Sequence, residues 1–295
     1  MSDQPGLREI RQQVVSHYGA RARAALAGAG LEATPTTDAC CSSADAAPAG
    51  PARLEFVDLS TARGGATAAA ADACCGSDDA ACGVTADFET AYGSANYTST
   101  DAIPDAAVAA SLGCGNPIAI AELRPGERVL DLGSGGGIDC FFAAQQVGES
   151  GEVWGLDMTP DMIQLARHNA EQVAAKNVRF RLGEIEDIPF GDGAFDVIIS
   201  NCVINLSTDK PQVFREAFRV LAPGGRLRVS DMVWTSEPPA GRADLESWAG
   251  CVAGALRVDD YLDAIRTAGF IDVDAQYAET ASGVTSASVF ARRPA

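Results

Sequence analysis

Hydrophobic positions in the second half of the chain fall into short blocks that alternate between two periods. Residues 128–132, 152–156, 178–182, 195–200 and 225–233 are brief, nearly continuous apolar runs bounded by glycines and polar residues, and they read as strands. Residues 138–147, 160–175 and 209–221 place apolar side chains at helical spacing instead. Strand and helix in alternation predict an α/β, doubly wound parallel sheet with helices on both faces. Beyond it, 241–256 reads as an inserted helix and 259–268 as another. Residues 271–278 and 284–292 read as an antiparallel strand pair turning at Ser282-Gly283.

The first third follows other rules. Leu7, Ile10, Val14 and Tyr18 recur at helical spacing among Arg8, Arg11 and Arg21, which predicts an amphipathic helix packed on the main domain. Residues 28–86 are rich in Ala, Gly, Ser, Asp and Pro with few large apolar side chains, so loop is expected there. Cys40, Cys41, Cys74, Cys75 and Cys82 lie in that stretch. A helical pattern resumes at Ile103, breaks at Leu112-Gly-Cys114-Gly-Asn-Pro117, and restarts over 118–123. The expected division is 1–96 as helix plus cysteine-rich extension, 97–235 as a cofactor-binding domain, and 236–295 as a terminal segment ending in the hairpin.

Composition narrows the function classes. The chain has 295 residues, 47% of them hydrophobic, enough for one large domain and an appendage. It contains no apolar run of about 18 residues, and Arg8, Glu9 and Arg11 occupy the place of a signal peptide's apolar stretch, so a cytoplasmic protein without a membrane partner is expected. Lys and Arg number 22 against 40 Asp and Glu, and the net charge of −18 repels phosphate backbones, which argues against nucleic acid as partner. Nine cysteines in a reducing compartment read as thiolates for a soft ligand or for redox chemistry before they read as bridges.

The residues from Val129 to Gly137, Val-Leu-Asp-Leu-Gly-Ser-Gly-Gly-Gly, carry the first chemical signal. A strand followed by glycines lets the backbone press against a ligand, and Asp157, about 20 residues past the last glycine at the end of the next strand, is placed to accept ribose hydroxyls. The turn lacks the Lys-Ser/Thr of a P-loop, so a triphosphate has no partner cation there, which argues against it. Asp131, just before the turn, would repel a pyrophosphate and so disfavours a dinucleotide. It suits the ammonium and sulfonium of S-adenosylmethionine. Gly133, Ser134, Gly135, Met158, Ile185, Glu186 and Asn201 complete the candidate cofactor-binding set, with Glu186 near the adenine.

The second signal is cysteine at the carboxyl edge of the sheet. Cys202, in Ile199-Ser-Asn-Cys-Val-Ile-Asn-Leu206, follows the fourth strand at the edge where open α/β sheets bind ligands. Cys114 precedes the cofactor turn. Cys251, in Gly250-Cys-Val-Ala-Gly-Ala-Leu256, belongs to a segment expected to fold back over the same edge. Each alone reads equally well as a small buried hydrophobe, and Cys140 reads so.

With these blocks, together with Gly155-Leu-Asp157-Met-Thr159 and Asp209-Lys210, the chain resembles the arsenite S-adenosylmethionine methyltransferases over most of residues 97–275. The resemblance implies the methyltransferase version of the doubly wound Rossmann-like sheet. It implies As(III) held by Cys114, Cys202 and Cys251. It further implies that a cysteine in an Ala-Cys context like Ala39-Cys40 takes part in disulfide exchange, with Cys114 as its partner. Leu112 stands where the family often has Tyr, and the insert with Cys74, Cys75 and Cys82 departs from the pattern.

The chemistry suits the residues. As(III) is soft, keeps a lone pair and prefers three thiolates; a lone pair held about 3 to 3.5 Å from a sulfonium methyl needs no general base. Only His17 and His168 are present, which agrees. Methyl transfer oxidises arsenic to the pentavalent state, and Cys40 and Cys41 are the leading candidates to return electrons through a disulfide, renewed by a thiol reductant such as thioredoxin or glutathione. Two alternatives stay open: a methyltransferase for a small carbon, nitrogen or oxygen nucleophile such as a quinone, and a non-catalytic thiol protein that sequesters soft metals.

Overall fold

A computed structural model describes residues 7–28, 97, 100, 103–238 and 252–295. In chain order these form α1 (Leu7–Gly28), α2 (Asp105–Ala110), α3 (Pro117–Ala121), β1 (Arg128–Leu132), α4 (Ile138–Val147), β2 (Glu152–Asp157), α5 (Pro160–Gln172), β3 (Val178–Leu182) and β4 (Phe195–Asn201). A 3-10 turn at Ile204–Leu206 leads to α6 (Lys210–Val220), β5 (Leu221–Trp234), α7 (Val258–Thr267), β6 (Ile271–Tyr277) and β7 (Val284–Arg292).

The strands make one mixed sheet of seven in the order β3-β2-β1-β4-β5-β7-β6. The first five are parallel, and β7 is inserted antiparallel between β5 and β6. Central parallel strands are covered on both faces, which explains their nearly continuous apolar runs. Side-chain alternation then sorts them: Leu130, Leu132, Leu156 and Ile198 join Phe214 and Tyr261 in one core. Val129, Val153, Val197 and Ile199 join Phe141 and Ile163 in the other. The strands beyond position 235 belong to the same sheet, because β5 pairs with β7 from Arg226↔Arg292 to Trp234↔Val284.

Several expected boundaries move for local reasons. The helix expected to reach 175 ends at Gln172, where Ala174 takes a φ of 51° and closes the turn. Asp209 lies outside α6 as its cap, its side chain accepting the Gln212 N–H. The β5 strand is longer than expected at both ends, because Leu221 pairs with Phe195 of β4 and the antiparallel ladder with β7 continues to Trp234. Residues 252–256, the end of the expected helix 241–256, are bend and turn rather than helix, and Arg257 after them bridges to Trp234, whose N–H donates to the Leu256 carbonyl at 2.8 Å.

The crossover from β3 to β4 carries no helix. Residues 183–194 are held instead by Arg219, which donates to the carbonyls of Ile188 and Phe190, each at 2.8 Å, while Glu216 accepts the Ile188 N–H at 2.8 Å. Buried Ile188 and the edge-on stack of Phe190 against Trp154 and Phe195 seat this loop on the sheet. The chain runs outward from β1 to β3 and then returns to β4, so the order reverses between β1 and β4. In such sheets the ligand crevice opens at the carboxyl ends of the strands flanking that reversal.

Candidate functional site

A cleft opens at that reversal, and the glycine turn forms its floor. Gly133, Gly135 and Gly137 have φ of 70°, 51° and 94°, a region that only glycine enters freely. The turn is tied to β2 by the N–H groups of Gly133 and Ser134, both donating to the Leu156 carbonyl at 2.7 and 3.0 Å. Asp157, at the end of β2, accepts the Gly135 N–H at 3.0 Å and the Thr159 N–H at 2.8 Å. Burial raises its pKa and these N–H donors oppose the rise. Gly133, Ser134, Gly135, Asp157, Met158, Ile185, Glu186 and Asn201 all line the cleft. Glu186 accepts the Ser207 hydroxyl at 2.6 Å, so it is fixed in place rather than solvated.

Asp131 is the exception among the expected cofactor residues. Its carboxylate is buried beneath the turn, 3.3 Å from the Cys140 sulfur, and does not line the cleft. Besides Asp157 and Glu186, the acid that does is Asp139, in the first turn of α4. It accepts the Tyr97 hydroxyl at 2.7 Å and the Asn201 amide at 3.2 Å, and burial pushes its pKa up to about 6. A cleft with buried Asp139, the carboxylate of Asp157 and the buried Ser134 hydroxyl, which has no hydrogen-bond partner among the described residues, fits an amino-acid-bearing adenosyl ligand.

The N-terminal helix does more than pack. Its inner end sits on Ala106, Ala110, Met162 and Leu165 through Ala22 and Leu26, and Arg23 pairs with Asp161. Its outer half closes the cleft: Ile10, Arg11, Val14 and Tyr18 form a wall opposite the glycine turn. Arg11 bridges to Glu184 at 3.0 Å and approaches Glu186 at 3.9 Å on the β3–β4 loop. The stripe was visible in the sequence; its partner surface was not.

Cys202 and Cys114 come together beside this cleft. The chain leaves β4 at Cys202 with a φ of 60°, a left-handed conformation that costs a non-glycine residue about 1 to 2 kcal/mol. The cost is met by the Cys202 N–H bond to the Ser230 carbonyl at 2.8 Å. Cys114 lies between two glycines because its loop is pressed against the sheet edge. A Cβ on Gly113 would come within 2.3 Å of Asn201, and one on Gly115 within 2.6 Å of Ser230. Asn201 clamps this loop, donating to the Gly115 carbonyl at 2.9 Å and accepting its N–H at 3.3 Å.

Both sulfurs and a carboxylate oxygen of Asp231 lie within 4.8 Å of one another, all buried. Burial pushes the Asp231 pKa up to about 7, against the pull of the Lys210 ammonium and its donors. Met232, Trp234 and Ala255 pack around the two thiols, and Val252, one residue after Cys251, packs against that cluster. Cys251 itself, and Cys40, Cys41, Cys74, Cys75 and Cys82, lie outside the described residues. Asp231, Asp139, Tyr97 and the α1 wall were not anticipated. A polar residue on the buried face of a strand was the one signal that could have found Asp231.

Residues 123–269 match a family described as a methyltransferase domain. The chain is 54% identical over 164 residues to the arsenite methyltransferase of Halobacterium salinarum, covering 55% of this chain and 42% of that protein. It is 46% identical over 169 residues to the arsenite methyltransferase of Aquipseudomonas alcaligenes, covering 54% and 48%. The crystal structure of an arsenic(III) S-adenosylmethionine methyltransferase from Chlamydomonas reinhardtii matches with a TM-score of 0.54 at 39% identity, over 62% of this chain and 67% of that one. The chain thus spans a little under half the length of these two curated relatives. No helix among the described residues is long and apolar enough to cross a membrane.

Proposed function

The chain belongs to the arsenite S-adenosylmethionine methyltransferase family, and from that premise we propose that it transfers methyl groups from S-adenosylmethionine to trivalent arsenic held by the thiolates of Cys114, Cys202 and Cys251, serving arsenic detoxification. The observation that carries the reading is the meeting of two buried thiols from separate loops beside a cleft suited to the methyl donor. The donor, when bound, supplies an electrophilic methyl on a sulfonium. Asp157 takes the ribose hydroxyls, Ile185 and Glu186 flank the adenine, and Asp139, held by Tyr97 and Asn201, faces the ammonium. Asp131 shapes the turn from below.

Exchange of arsenic's hydroxides for cysteine sulfurs releases water and leaves the lone pair on arsenic free. Thiolate donation raises electron density there, so the chain's task in the transfer is positioning, without a base. Arsenic gives up two electrons in forming the new bond. Two thiols return them by closing a disulfide, with Cys40 or Cys41 partnering Cys114, and a small thiol or thioredoxin reopens it.

The test uses the full chain with S-adenosylmethionine, arsenite and a thiol reductant, separating arsenic species by chromatography. Methylated arsenic from the wild type is expected. Cys202→Ser and Cys251→Ser should each abolish methylation of inorganic arsenite with cofactor binding intact, because a hydroxyl does not replace a soft thiolate. Turnover retained in either variant sinks the site. Methylation of a quinone-like acceptor by a protein lacking all three cysteines would support the small-nucleophile alternative, and failure to bind S-adenosylmethionine would support simple metal sequestration.

A further inference from the structure

Asp231, at 0% exposure, would ordinarily make the group of two thiols and a carboxylate look like a cation site. Its carboxylate, however, is already saturated. Oδ1 accepts the Asn205 side-chain amide at 2.8 Å and the Met232 N–H at 3.0 Å. Oδ2 accepts the Asn205 N–H at 3.2 Å and the Tyr261 hydroxyl at 3.1 Å. A carboxylate has about four lone-pair directions, so none is left for coordination. Four converging donors and the neighbouring Lys210 ammonium favour the ionised, acceptor-only group against the burial that pushes its pKa up to about 7, so the charge is fully present above that value.

We propose that Asp231 is a fixed negative charge that stabilises the positive charge arriving on arsenic during methyl transfer, a role that rests on the arsenic methylation proposed above. The charge balance is explicit. Arsenic's lone pair forms the As–C bond, the C–S bond of the donor breaks with its pair left on sulfur, and the donor's positive charge passes to arsenic. Asp139 and Asp157 line the cleft where that charge begins. Asp231 does not line it; it stands beside the two sulfurs. Its attraction therefore grows as the charge moves toward the thiols, which is the differential stabilisation that lowers a barrier. Held by four donors, the carboxylate has no reorganisation to undergo as the charge arrives.

Asp231→Asn removes the charge at nearly constant shape. Three quantities are read: cofactor affinity by calorimetry, arsenite affinity through the fluorescence of Trp234, which packs beside both thiols, and the single-turnover rate of methyl transfer. Both affinities are expected within about threefold of wild type, and the transfer rate is expected to fall roughly 100-fold, the scale of losing one preorganised electrostatic partner. Tyr261→Phe keeps the carboxylate and removes one neutral donor, and should transfer methyl within about fivefold of wild type. An Asp231→Asn protein that transfers at the wild-type rate overturns the proposal. So does one whose loss of rate is matched by its loss of arsenite affinity, or a Tyr261→Phe protein slowed about 100-fold. Where Asp231→Asn does not fold, Asp231→Glu keeps the charge: a loss of transfer rate of about 100-fold there with both affinities intact overturns the proposal, whereas transfer within about tenfold of wild type supports it. A wild type that binds arsenite and S-adenosylmethionine yet forms no methylated arsenic refutes the underlying function instead, a failure visible before any variant is made.

Discussion

Gly133→Ala probes how the cofactor turn and the thiol loop are joined. Gly133 has a φ of 70°, and a Cβ built there would lie 2.4 Å from both γ carbons of Val203, the residue after Cys202. Two penalties add: about 1 to 2 kcal/mol for a left-handed alanine and about 1 to 3 kcal/mol for overpacking. Gly135 is the internal control. Its φ is 51°, but its Cβ would meet nothing within 4 Å, so Gly135→Ala carries only the first penalty in the unliganded protein. At roughly 2 to 4 °C per kcal/mol for a domain of this size, Gly133→Ala should lower the Tm by roughly 4 to 20 °C, and Gly135→Ala by roughly 2 to 8 °C. Ligand binding should separate them further. Gly135 lines the cleft and its Cβ would stand in open space, so Gly135→Ala should weaken S-adenosylmethionine binding, whereas Gly133→Ala should disturb arsenite binding as well, by displacing Val203 and with it Cys202. Adding Val203→Ala to Gly133→Ala removes both γ carbons and should restore part of the Tm. Thermal melts and two titrations on four proteins suffice. Equal melting of the two single variants, or no recovery in the double, would refute the contact as the link.

Asp157→Ala should weaken S-adenosylmethionine roughly 5- to 150-fold, the cost of about 1 to 3 kcal/mol for an unpaired buried diol; unchanged affinity by calorimetry would remove Asp157 from the site. Arg11→Ala should raise the cofactor's dissociation rate a fewfold at low salt, with the difference shrinking in high salt, since the bridge to Glu184 is about half exposed on both sides. Stopped-flow release that is identical for the two proteins at every ionic strength would separate α1 from cofactor retention. Deletion of residues 66–83, with Cys74, Cys75 and Cys82, should leave turnover unchanged when a thiol reductant is supplied. Lost turnover would assign the insert to the catalytic cycle.

What the sequence disclosed was what is decided locally. Strand positions followed from apolar runs and turn residues, and the glycine turn with Asp157 was legible because both sit on adjacent parallel strands whose pairing the pattern implies. Asp131 and Asp139 show where that reasoning stops. Both are acids flanking the same turn, and only the packing of α4 decides that Asp139 faces the cleft while Asp131 lies under it against Cys140. The α1 wall depends on contact between positions 11 and 184, which no local period encodes. Asp231 stands in an apolar strand, and its use is set by donors from Asn205 and Tyr261, 26 and 30 positions away.

The sheet reversal explains why the donor cleft and the thiols share one edge, but Asn201 explains why they share a geometry. It is the last residue of β4, so its backbone is set by the ladder with β5, where it pairs with Ser230. Its side chain reaches Gly115 on the Cys114 loop and Asp139 and Tyr97 on the donor side. Its successor is Cys202, bonded through its own N–H to the Ser230 carbonyl. The Cys114 sulfur points at the same carbonyl, at 3.6 Å. Asn201 at the end of β4, its successor Cys202 and Ser230 of β5 therefore fix both sulfurs relative to Asp139 in the cleft. A displacement between lone pair and methyl tolerates little error in distance or line, and a rigid strand end controls both better than a long loop does.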